Sequence, residues 1–303
     1  MELSLEIRNK LSGVFAPIVT PFDREGEIVF EALQRNIAKL NKTRLKGYFV
    51  LGTNGEFRSL TFEEKLKVVE VVKKVISVSG KDKIVIAGAS CESTFESIKL
   101  AKELCSLDVD FISLMPPSFF AKRMTDEMLV GYFTEVAEAI DKPVLLYNNP
   151  SVANGLCLST KVIAKVSEHP NIFGIKDTSK GNYDSYILST QDKDFWVLAG
   201  SASFFFPAVI LGGVGGVLSL ANVFPDLCCQ LYELAVNKDL EAGISLHRKI
   251  MKLNSLVSGS FGVAGVKAAM DKFGFEGLYP RRPLLPLSKE EANNLQGAIQ
   301  KIL

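Results

Sequence analysis

Short apolar runs recur along the chain, and turn residues follow each of them. Eight such runs begin near residues 13, 47, 83, 109, 143, 172, 195 and 215, so successive starts lie 20 to 36 residues apart. The runs are nearly continuous in apolar residues rather than alternating, which is typical of parallel strands covered on both faces. Their spacing matches a strand plus a crossover helix. The pattern therefore predicts eight strand–helix units.

Helix-like segments fill the intervals between the apolar runs. Those that start at Leu60, Cys91 and Arg123 carry apolar residues at helical spacing. In the first of them, Thr61 is followed three residues later by Glu64, which is the capping-box signature of a helix start. These segments are the predicted crossover helices.

Eight regular units predict an α/β fold, a (β/α)₈ TIM barrel, and favour it over a doubly wound sheet. From Phe224 onward the chain is mostly helix-like, so we predict a barrel over 1–223 and a C-terminal helical extension over 224–303. Within this extension, "YPRRPLLP" from Tyr279 is expected to be an ordered connection. Arg281 and Arg282 are expected to be surface or interface charges there.

Composition and charge narrow the class of protein. With 35 Lys and Arg against 34 Asp and Glu, the net charge of +1 gives no basic excess that would favour a nucleic-acid partner. No uncharged apolar stretch is long enough to suggest a membrane span. The five cysteines are scattered without a disulfide or metal spacing, so buried thiols in a reducing compartment are expected. Together these features predict a cytoplasmic protein.

The chemistry of a barrel of this type lies at the carboxyl ends of its strands. Polar residues follow or end at least five of the predicted strands. They are Thr20, the turn Gly52–Glu56, Tyr147, Lys176, the pair Gly200–Ser201 and the pair Leu218–Ser219. These groups are expected to converge on one small molecule.

Lys176, in the stretch "FGIKDTS", is the candidate nucleophile. An inward-facing lysine is desolvated, which lowers its pKa and favours the neutral amine that attacks a ketone to form an imine. Tyr147 is the candidate proton shuttle, with the Thr53 hydroxyl as a relay. Backbone N–H groups of the "GTNG" turn suit a carboxylate.

Each of these features has a plainer interpretation when taken alone. A strand-end lysine is usually solvated, and "GTNGE" is an ordinary turn with a helix cap. The glycine-rich segments after the seventh and eighth predicted strands are also compatible with a phosphate site. His169 and His247 are far apart, so we predict no metal site and no cofactor.

Five ordered motifs together resemble the class I pyruvate-dependent aldolases, the family of dihydrodipicolinate synthase and N-acetylneuraminate lyase. They are "PIVTPF" (Pro17–Phe22), "GTNGEF" (Gly52–Phe57), "LLYNNP" (Leu145–Pro150), "GIKDTS" (Gly174–Ser179) and "GGVGGVLSLANV" (Gly212–Val223). The resemblance covers essentially the whole chain. It implies that Lys176 forms a Schiff base with pyruvate, that Tyr147 shuttles protons, and that Thr53 with Asn54 binds the keto-acid carboxylate. It also implies a homotetramer built as a dimer of dimers.

Within this family, three positions depart from dihydrodipicolinate synthases. Those enzymes usually carry "GTTGE", a tyrosine pair after the fourth strand, and an arginine in "YNVPSRTG". Here the corresponding residues are Asn54, the pair Phe119 and Phe120, and "SVANG" from Ser151, which has no arginine and one extra residue. Four further segments resemble 4-hydroxy-2-oxoglutarate aldolase more closely: Ala87–Thr94, Glu168–Asp177, Leu198–Ala202 and Phe261–Gly274.

The resemblance and the residues together predict a Schiff-base lyase. It would cleave a 4-hydroxy-2-oxo acid, such as one like 4-hydroxy-2-oxoglutarate, to pyruvate and an aldehyde. The predicted catalytic residues are Lys176, Tyr147 and Thr53; the predicted substrate-binding residues are Thr53, Asn54, Gly200 and Val217. Two alternatives stay open: a dihydrodipicolinate synthase, and a non-catalytic barrel that binds a keto acid, because Phe119 and Phe120 lack hydroxyl groups.

Overall fold

The computed structural model describes residues 2–179 and 181–303, and its strands follow the predicted rhythm. The strands are β1 (Gly13–Pro17), β2 (Gly47–Val50), β3 (Ile84–Gly88), β4 (Phe111–Leu114), β5 (Val144–Asn148), β6 (Ile172–Asp177), β7 (Trp196–Ala199) and β8 (Gly215–Val217). Every strand begins within two residues of its predicted start. Nearly all of their residues are buried, as expected for strands covered on both faces.

The strands close into a barrel in the order in which they follow one another in the chain. Each strand pairs in parallel with the next, and β8 pairs with β1, with Gly13 opposite Gly215. The predicted (β/α)₈ barrel is thereby confirmed. The doubly wound alternative is wrong, because an open sheet would leave two unpaired edges.

Helices connect the strands and form the C-terminal part of the chain. They are α1 (Glu2–Leu11), α2 (Phe30–Leu40), α3 (Phe62–Ser79), α4 (Thr94–Ser106), α5 (Asp126–Glu138), α6 (Thr160–Val166), α7 (Tyr183–Ser189), α8 (Phe205–Ile210), α9 (Pro225–Val236), α10 (Leu240–Asn254), α11 (Gly262–Lys272) and α12 (Lys289–Gln300). The capping box predicted for α3 is present. The Thr61 hydroxyl accepts from the Glu64 backbone N–H at 3.2 Å, and the Glu64 carboxylate accepts from the Thr61 N–H at 2.8 Å.

The position of β6 depends on a glycine. A Cβ atom on Gly174 would lie 2.2 Å from the carbonyl oxygen of Trp196 in β7, which is far inside van der Waals contact. The absent side chain lets the two strands approach closely. Since β6 carries Lys176 near its carboxyl end, this contact also sets the place of the candidate nucleophile.

The C-terminal helices share the hydrophobic core of the barrel. One cluster of buried side chains includes strand residues such as Phe15 together with Leu231 of α9 and Val266 of α11. Polar contacts join the same parts: the Asn36 side chain of α2 donates to the carbonyl oxygen of Glu276 at 2.8 Å and accepts from the Glu276 N–H at 2.9 Å. The division at residue 223 stays a prediction about how the chain is organised.

The five cysteines do not all match the expectation of buried thiols. Cys228 and Cys229 are buried, whereas Cys91 and Cys105 are half-buried. Cys157 is exposed, so the expectation is wrong for this residue, which lies in the loop after β5 rather than on a core-facing element.

Across residues 2–179 and 181–303, we find no helix that combines the length and the apolar character required to cross a membrane.

Candidate active site

Lys176 lies at the carboxyl end of β6 and is only 4% exposed. Its Nζ atom sits between two aromatic rings, 3.9 Å from the ring centroid of Tyr147 and 4.4 Å from that of Phe49. Tyr147 is the direct neighbour of Lys176 in the pairing of β5 with β6. The amine is therefore enclosed by the barrel rather than solvated.

The Tyr147 hydroxyl is held from two sides. It shares a hydrogen bond of 3.0 Å with the Thr53 hydroxyl and accepts one of 3.0 Å from the Asn149 side-chain amide. The structure thus brings together Lys176, Tyr147 and Thr53, the three predicted catalytic residues, which are far apart in sequence.

Thr53 and Asn54 open the turn that follows β2. The turn is a short 3-10 segment, Thr53–Gly55, closed by a hydrogen bond from the Glu56 N–H to the Thr53 carbonyl oxygen at 3.0 Å. The side-chain nitrogen of Asn54 is buried and has no hydrogen-bond partner. An unpaired amide donor beside the Thr53 hydroxyl suits an acceptor such as a carboxylate.

The electrostatics of the lysine and the tyrosine are coupled. Burial lowers the pKa of Lys176, and the neighbouring Tyr147 phenol offsets part of that shift. Burial by itself would raise the pKa of Tyr147, but the Lys176 cation and the hydrogen bonds from Thr53 and Asn149 lower it overall. The pair is thus set to exchange a proton: the amine loses its proton more readily than a free lysine, and the phenol ionises more readily than a free tyrosine.

Two residues of this constellation were missed in the sequence. Asn149 stands two positions after Tyr147, so strand alternation places both side chains on the same side, and this periodicity was a usable signal. Phe49 was not distinguishable from any other apolar residue of β2, because its role depends on which strand lies across the barrel.

A buried network supports the end of β6 behind the lysine. One carboxylate oxygen of Asp177 accepts from the Asn148 amide at 2.8 Å and from the Ser179 hydroxyl at 2.7 Å. Asn148 also donates to the Tyr186 hydroxyl at 3.1 Å. Burial raises the pKa of Asp177. These contacts tie β5, β6 and α7 together and hold Lys176 and Tyr147 side by side.

The other predicted binding residues lie at the same end of the barrel. Gly200 follows β7, and its N–H donates to the Asp177 carbonyl oxygen at 2.6 Å. A Cβ atom on Gly200 would lie 2.0 Å from the Thr178 hydroxyl, so this approach requires glycine. Val217 is the last residue of β8 and is 1% exposed. Neither residue adds a reactive group.

Two cavities adjoin this end of the barrel. The first, of about 450 Å³, reaches Thr53 and has largely apolar walls that include Met115, Val152 and Phe261. The second, of about 960 Å³, is lined by hydroxyl-bearing residues such as Ser151, Thr178 and Ser201. Either volume is large enough for a small organic acid. In the part of the chain that the structure describes, no group of three or more His, Cys, Asp or Glu side chains is arranged to hold a metal ion.

The chain is similar to known proteins over nearly its whole length. Residues 10–302 match the model of the Dihydrodipicolinate synthetase family. The chain belongs to this family. Members of the family are class I pyruvate-dependent lyases, and the chain is an enzyme of that class.

Three proteins show how the family relates to this chain. A probable 4-hydroxy-2-oxoglutarate aldolase, mitochondrial, from Emericella nidulans is 31% identical over 298 residues, covering 97% of this chain and 96% of the relative. A 4-hydroxy-tetrahydrodipicolinate synthase from Methanothrix thermoacetophila is 32% identical over 292 residues, covering 96% of each. The crystal structure of a chloride-inhibited dihydrodipicolinate synthase from Acinetobacter baumannii, complexed with pyruvate, superposes with a TM-score of 0.86 at 27% identity, covering 96% and 98% of the chains.

The departures from the synthase pattern of the Dihydrodipicolinate synthetase family lie around the cavity that reaches Thr53 and in the loop after β4. Val152, in the segment where synthases usually carry an arginine, lines that cavity. Phe119 and Phe120 are 74% and 66% exposed, and their rings stack edge to face with centroids 4.9 Å apart. At this position the cavity has an aliphatic side chain, while its wall also includes Arg58, which is paired with the Glu92 carboxylate.

Proposed function

We propose that the protein is a Schiff-base aldolase that cleaves a 4-hydroxy-2-oxo acid to pyruvate and an aldehyde, with a substrate like 4-hydroxy-2-oxoglutarate. The observation that carries the proposal is the buried amine of Lys176 against the Tyr147 ring, with the Tyr147 hydroxyl bound to Thr53 and Asn149. A nucleophile, a proton carrier and a relay group are therefore in mutual contact.

The reaction starts at the neutral amine. Lys176 Nζ attacks the C2 carbonyl of the 2-oxo acid, and loss of water gives a protonated imine that withdraws electrons from C3. Tyr147 removes the proton of the C4 hydroxyl, the C3–C4 bond breaks, and the aldehyde leaves while the electron pair forms an enamine. Protonation of C3 by Tyr147 and hydrolysis of the imine release pyruvate and restore the amine.

The turn after β2 is the proposed site of the keto-acid carboxylate. Thr53 offers its hydroxyl, and Asn54 offers a buried amide nitrogen without a partner. Gly200 and Val217 would line the space around the pyruvyl methyl group. The A. baumannii enzyme was crystallised in complex with pyruvate, which supports a pyruvyl site in this family.

Dihydrodipicolinate synthase activity, the condensation of pyruvate with aspartate semialdehyde, is less well supported. The resemblance gives the arginine of "YNVPSRTG" as the group that binds aspartate semialdehyde, and here that segment supplies Val152 to the cavity. An aliphatic side chain cannot form the bidentate pair that recognises a carboxylate, and Arg58, which does line the cavity, is already paired with the Glu92 carboxylate. The names of the relatives include both activities, an aldolase in E. nidulans and a synthase in M. thermoacetophila, so the preference for cleavage rests on the residues around the cavity.

Trapping of the imine tests the assignment of Lys176. Reduction with borohydride in the presence of pyruvate is expected to add the mass of a reduced pyruvyl group to the peptide that contains Lys176. Lys176→Ala and Lys176→Arg should abolish the label. Lys267, a second buried lysine, is the internal control and should stay unlabelled. Labelling at another lysine, or none in the wild type, would refute the proposal.

A comparison of substrates tests the reaction. Pyruvate release from 4-hydroxy-2-oxoglutarate and from a panel of other 4-hydroxy-2-oxo acids should exceed condensation of pyruvate with aspartate semialdehyde. The reverse order would identify a synthase. Trapping of pyruvate without turnover of any 2-oxo acid would identify a barrel that binds keto acids without cleaving them.

We also propose that the enzyme is cytoplasmic and forms a homotetramer, built as a dimer of dimers as the resemblance implies. The exposed rings of Phe119 and Phe120 give an apolar surface that association would cover. Sedimentation velocity is expected to give the mass of four chains, and Phe119→Ser with Phe120→Ser should lower it. A monomeric wild type would contradict this part of the proposal.

A further inference from the structure

A second buried lysine lies outside the proposed chemistry. Lys267 of α11 is 1% exposed, and its three N–H donors meet three acceptors. These are the carbonyl oxygens of Thr20 and Tyr279, each at 2.7 Å, and a carboxylate oxygen of Glu56 at 2.5 Å. The ammonium is thus fully satisfied, and no donor is left for a substrate.

The partner carboxylate belongs to the last residue of the turn that carries Thr53 and Asn54. Glu56 is in the left-handed conformation, with φ of 53°, and both of its carboxylate oxygens are bound. One accepts from Lys267, and the other accepts from the Arg281 backbone N–H at 2.8 Å. The position of the Glu56 backbone, whose N–H bonds the Thr53 carbonyl oxygen, is therefore set by groups from α11 and from the segment between α11 and α12.

Lys267 reaches the turn by a second route. Its acceptor Thr20, in the segment after β1, donates its side-chain hydroxyl to the Gly55 carbonyl oxygen at 2.8 Å. Gly55 also lies close to the segment after β1, since a Cβ atom on it would lie 3.1 Å from the Ile18 carbonyl oxygen. The Lys267 ammonium thus contacts the turn directly through the Glu56 carboxylate. It also contacts the turn indirectly through Thr20, whose hydroxyl binds the backbone of Gly55.

Removing both charges of a buried pair need not impair folding, whereas removing one leaves the other unpaired. Burial lowers the pKa of Lys267 to about 8, and the Glu56 carboxylate offsets part of the effect. An apolar side chain would fill this volume without directing Glu56. The ion pair therefore fixes the orientation of the Glu56 carboxylate, and with it the position of one end of the turn.

We propose that Lys267 is a positioning residue, which acts through Glu56 and Thr20 to hold the turn Gly52–Glu56 so that Thr53 and Asn54 can bind the carboxylate of the 2-oxo acid. The inference rests on the proposed function, because it assigns that carboxylate to this turn. It makes the C-terminal helices part of the substrate site, although none of their residues takes part in the chemical steps.

The test compares three proteins: the wild type, Lys267→Met with Glu56→Gln, and Lys272→Met as a matched control on the same helix. The double variant removes both charges, so its fold is expected to survive, which the thermal unfolding midpoint checks. The half-saturating pyruvate concentration for imine trapping at Lys176 is expected to rise at least about tenfold in the double variant, with a smaller change in the maximal rate. Lys272→Met should match the wild type.

A measurement that needs no reaction accompanies the trapping. Hydrogen exchange of the Gly55 and Glu56 amides, which bond within the turn, should accelerate at least about tenfold in the double variant. A folded double variant with half-saturation within about twofold of the wild type would overturn the inference. Failure of the wild type to trap pyruvate would instead refute the proposed function. Hydrogen exchange separates the two cases: unchanged exchange of the Gly55 and Glu56 amides in the folded double variant would show that Lys267 does not hold the turn, and would overturn the inference.

Discussion

At the scale of the residue, the surroundings of Lys176 decide its chemistry. Burial makes the ammonium less favourable and lowers the pKa, while the Tyr147 phenol opposes the shift. Imine formation needs the neutral amine, so its rate should rise with pH only up to the pKa of this lysine and then level off. The levelling should therefore occur at a lower pH than for a free lysine, whose pKa is about 10.4.

The pH dependence of trapping with pyruvate and cyanoborohydride measures this effect, with N-acetyl-lysine as the reference amine. In Tyr147→Phe, the phenol that favours the ammonium is absent, so the midpoint should move to still lower pH. A midpoint equal to that of the reference amine would show that Lys176 is solvated in the working enzyme.

Tyr147 should carry the proton transfers of cleavage. Tyr147→Phe keeps the ring beside Lys176 but deletes the hydroxyl that binds Thr53 and Asn149. We expect kcat for pyruvate release to fall by about 10²–10⁴-fold, the usual share of general acid–base catalysis. Tyr132→Phe is the matched control, since it deletes another buried hydroxyl, one that bonds Ser97 on α4. A loss confined to Tyr132→Phe, or a similar loss in both variants, would contradict the role.

At this scale, the residues that could be predicted from the sequence were those whose side chains have a distinctive chemistry. Lys176, Tyr147 and Thr53 were identifiable as candidates because few residue types perform imine and proton chemistry, and the structure places them in contact. Arg281 was misjudged as a surface or interface charge. Its guanidinium is half-buried and binds the Glu64 carboxylate and the Ser59 carbonyl oxygen, both at 2.7 Å. Nothing local to "YPRRP" distinguishes it from Arg282; the partners come from α3, from the segment before it, and from the Gly26 carbonyl oxygen between β1 and α2.

At the scale of the element, β6 and β7 lie so close together that a methyl group at Gly174 should not fit between them. Gly174→Ala puts a Cβ atom against the Trp196 carbonyl oxygen, and backbone atoms cannot rotate away. We expect a loss of about 1–3 kcal/mol in the free energy of unfolding, together with slower trapping at Lys176, because β6 must shift.

Gly297→Ala is the control for this prediction. Gly297 lies in α12, and nothing is within 4 Å of the point that a Cβ atom would occupy. Alanine there should stabilise the protein by about 0.5–1 kcal/mol. Urea unfolding measures both variants. Equal stability of the two variants would show that β6 tolerates the displacement.

The elements themselves were largely readable. Strands buried on both faces give near-continuous apolar runs, and helices with one buried face give apolar residues at helical spacing. The predicted strand starts therefore agree with the observed ones within two residues. The N-terminal helix α1 was not predicted. Its buried apolar residues Ile7 and Leu11 are one turn apart, too few to mark a helix, and what they pack against becomes evident only in the folded barrel.

At the scale of the whole molecule, the barrel and the C-terminal helices should unfold together. They share one hydrophobic cluster, and Arg281 ties the C-terminal segment to Glu64 of α3. Trp196, the single tryptophan, reports on β7, whereas far-ultraviolet circular dichroism reports on all helices. We expect coincident urea transitions by the two probes. Separate transitions would show that residues 1–223 and 224–303 are independent units.

Arg281→Ala tests the tie between these parts. It should lower the unfolding free energy by about 1–3 kcal/mol in both probes alike, since it leaves a half-buried carboxylate and carbonyl groups unpaired. The exposed neighbour Arg282 provides the control, and Arg282→Ala should stay within about 0.5 kcal/mol of the wild type. A midpoint that moves in one probe only would contradict a common unfolding step.

The sequence by itself determined the barrel, the order of its elements and the identity of the candidate reactive side chains. These properties are local, because each strand or helix has its own periodic pattern of apolar residues and imine chemistry requires a lysine. Only the tertiary structure decided that Phe49 and Asn149 complete the surroundings of Lys176 and Tyr147, and that Lys267 reaches Glu56 across 211 positions. Such contacts depend on which strand ends and loops meet in space, because a pairwise hydrogen bond between distant residues leaves no periodic trace in the chain.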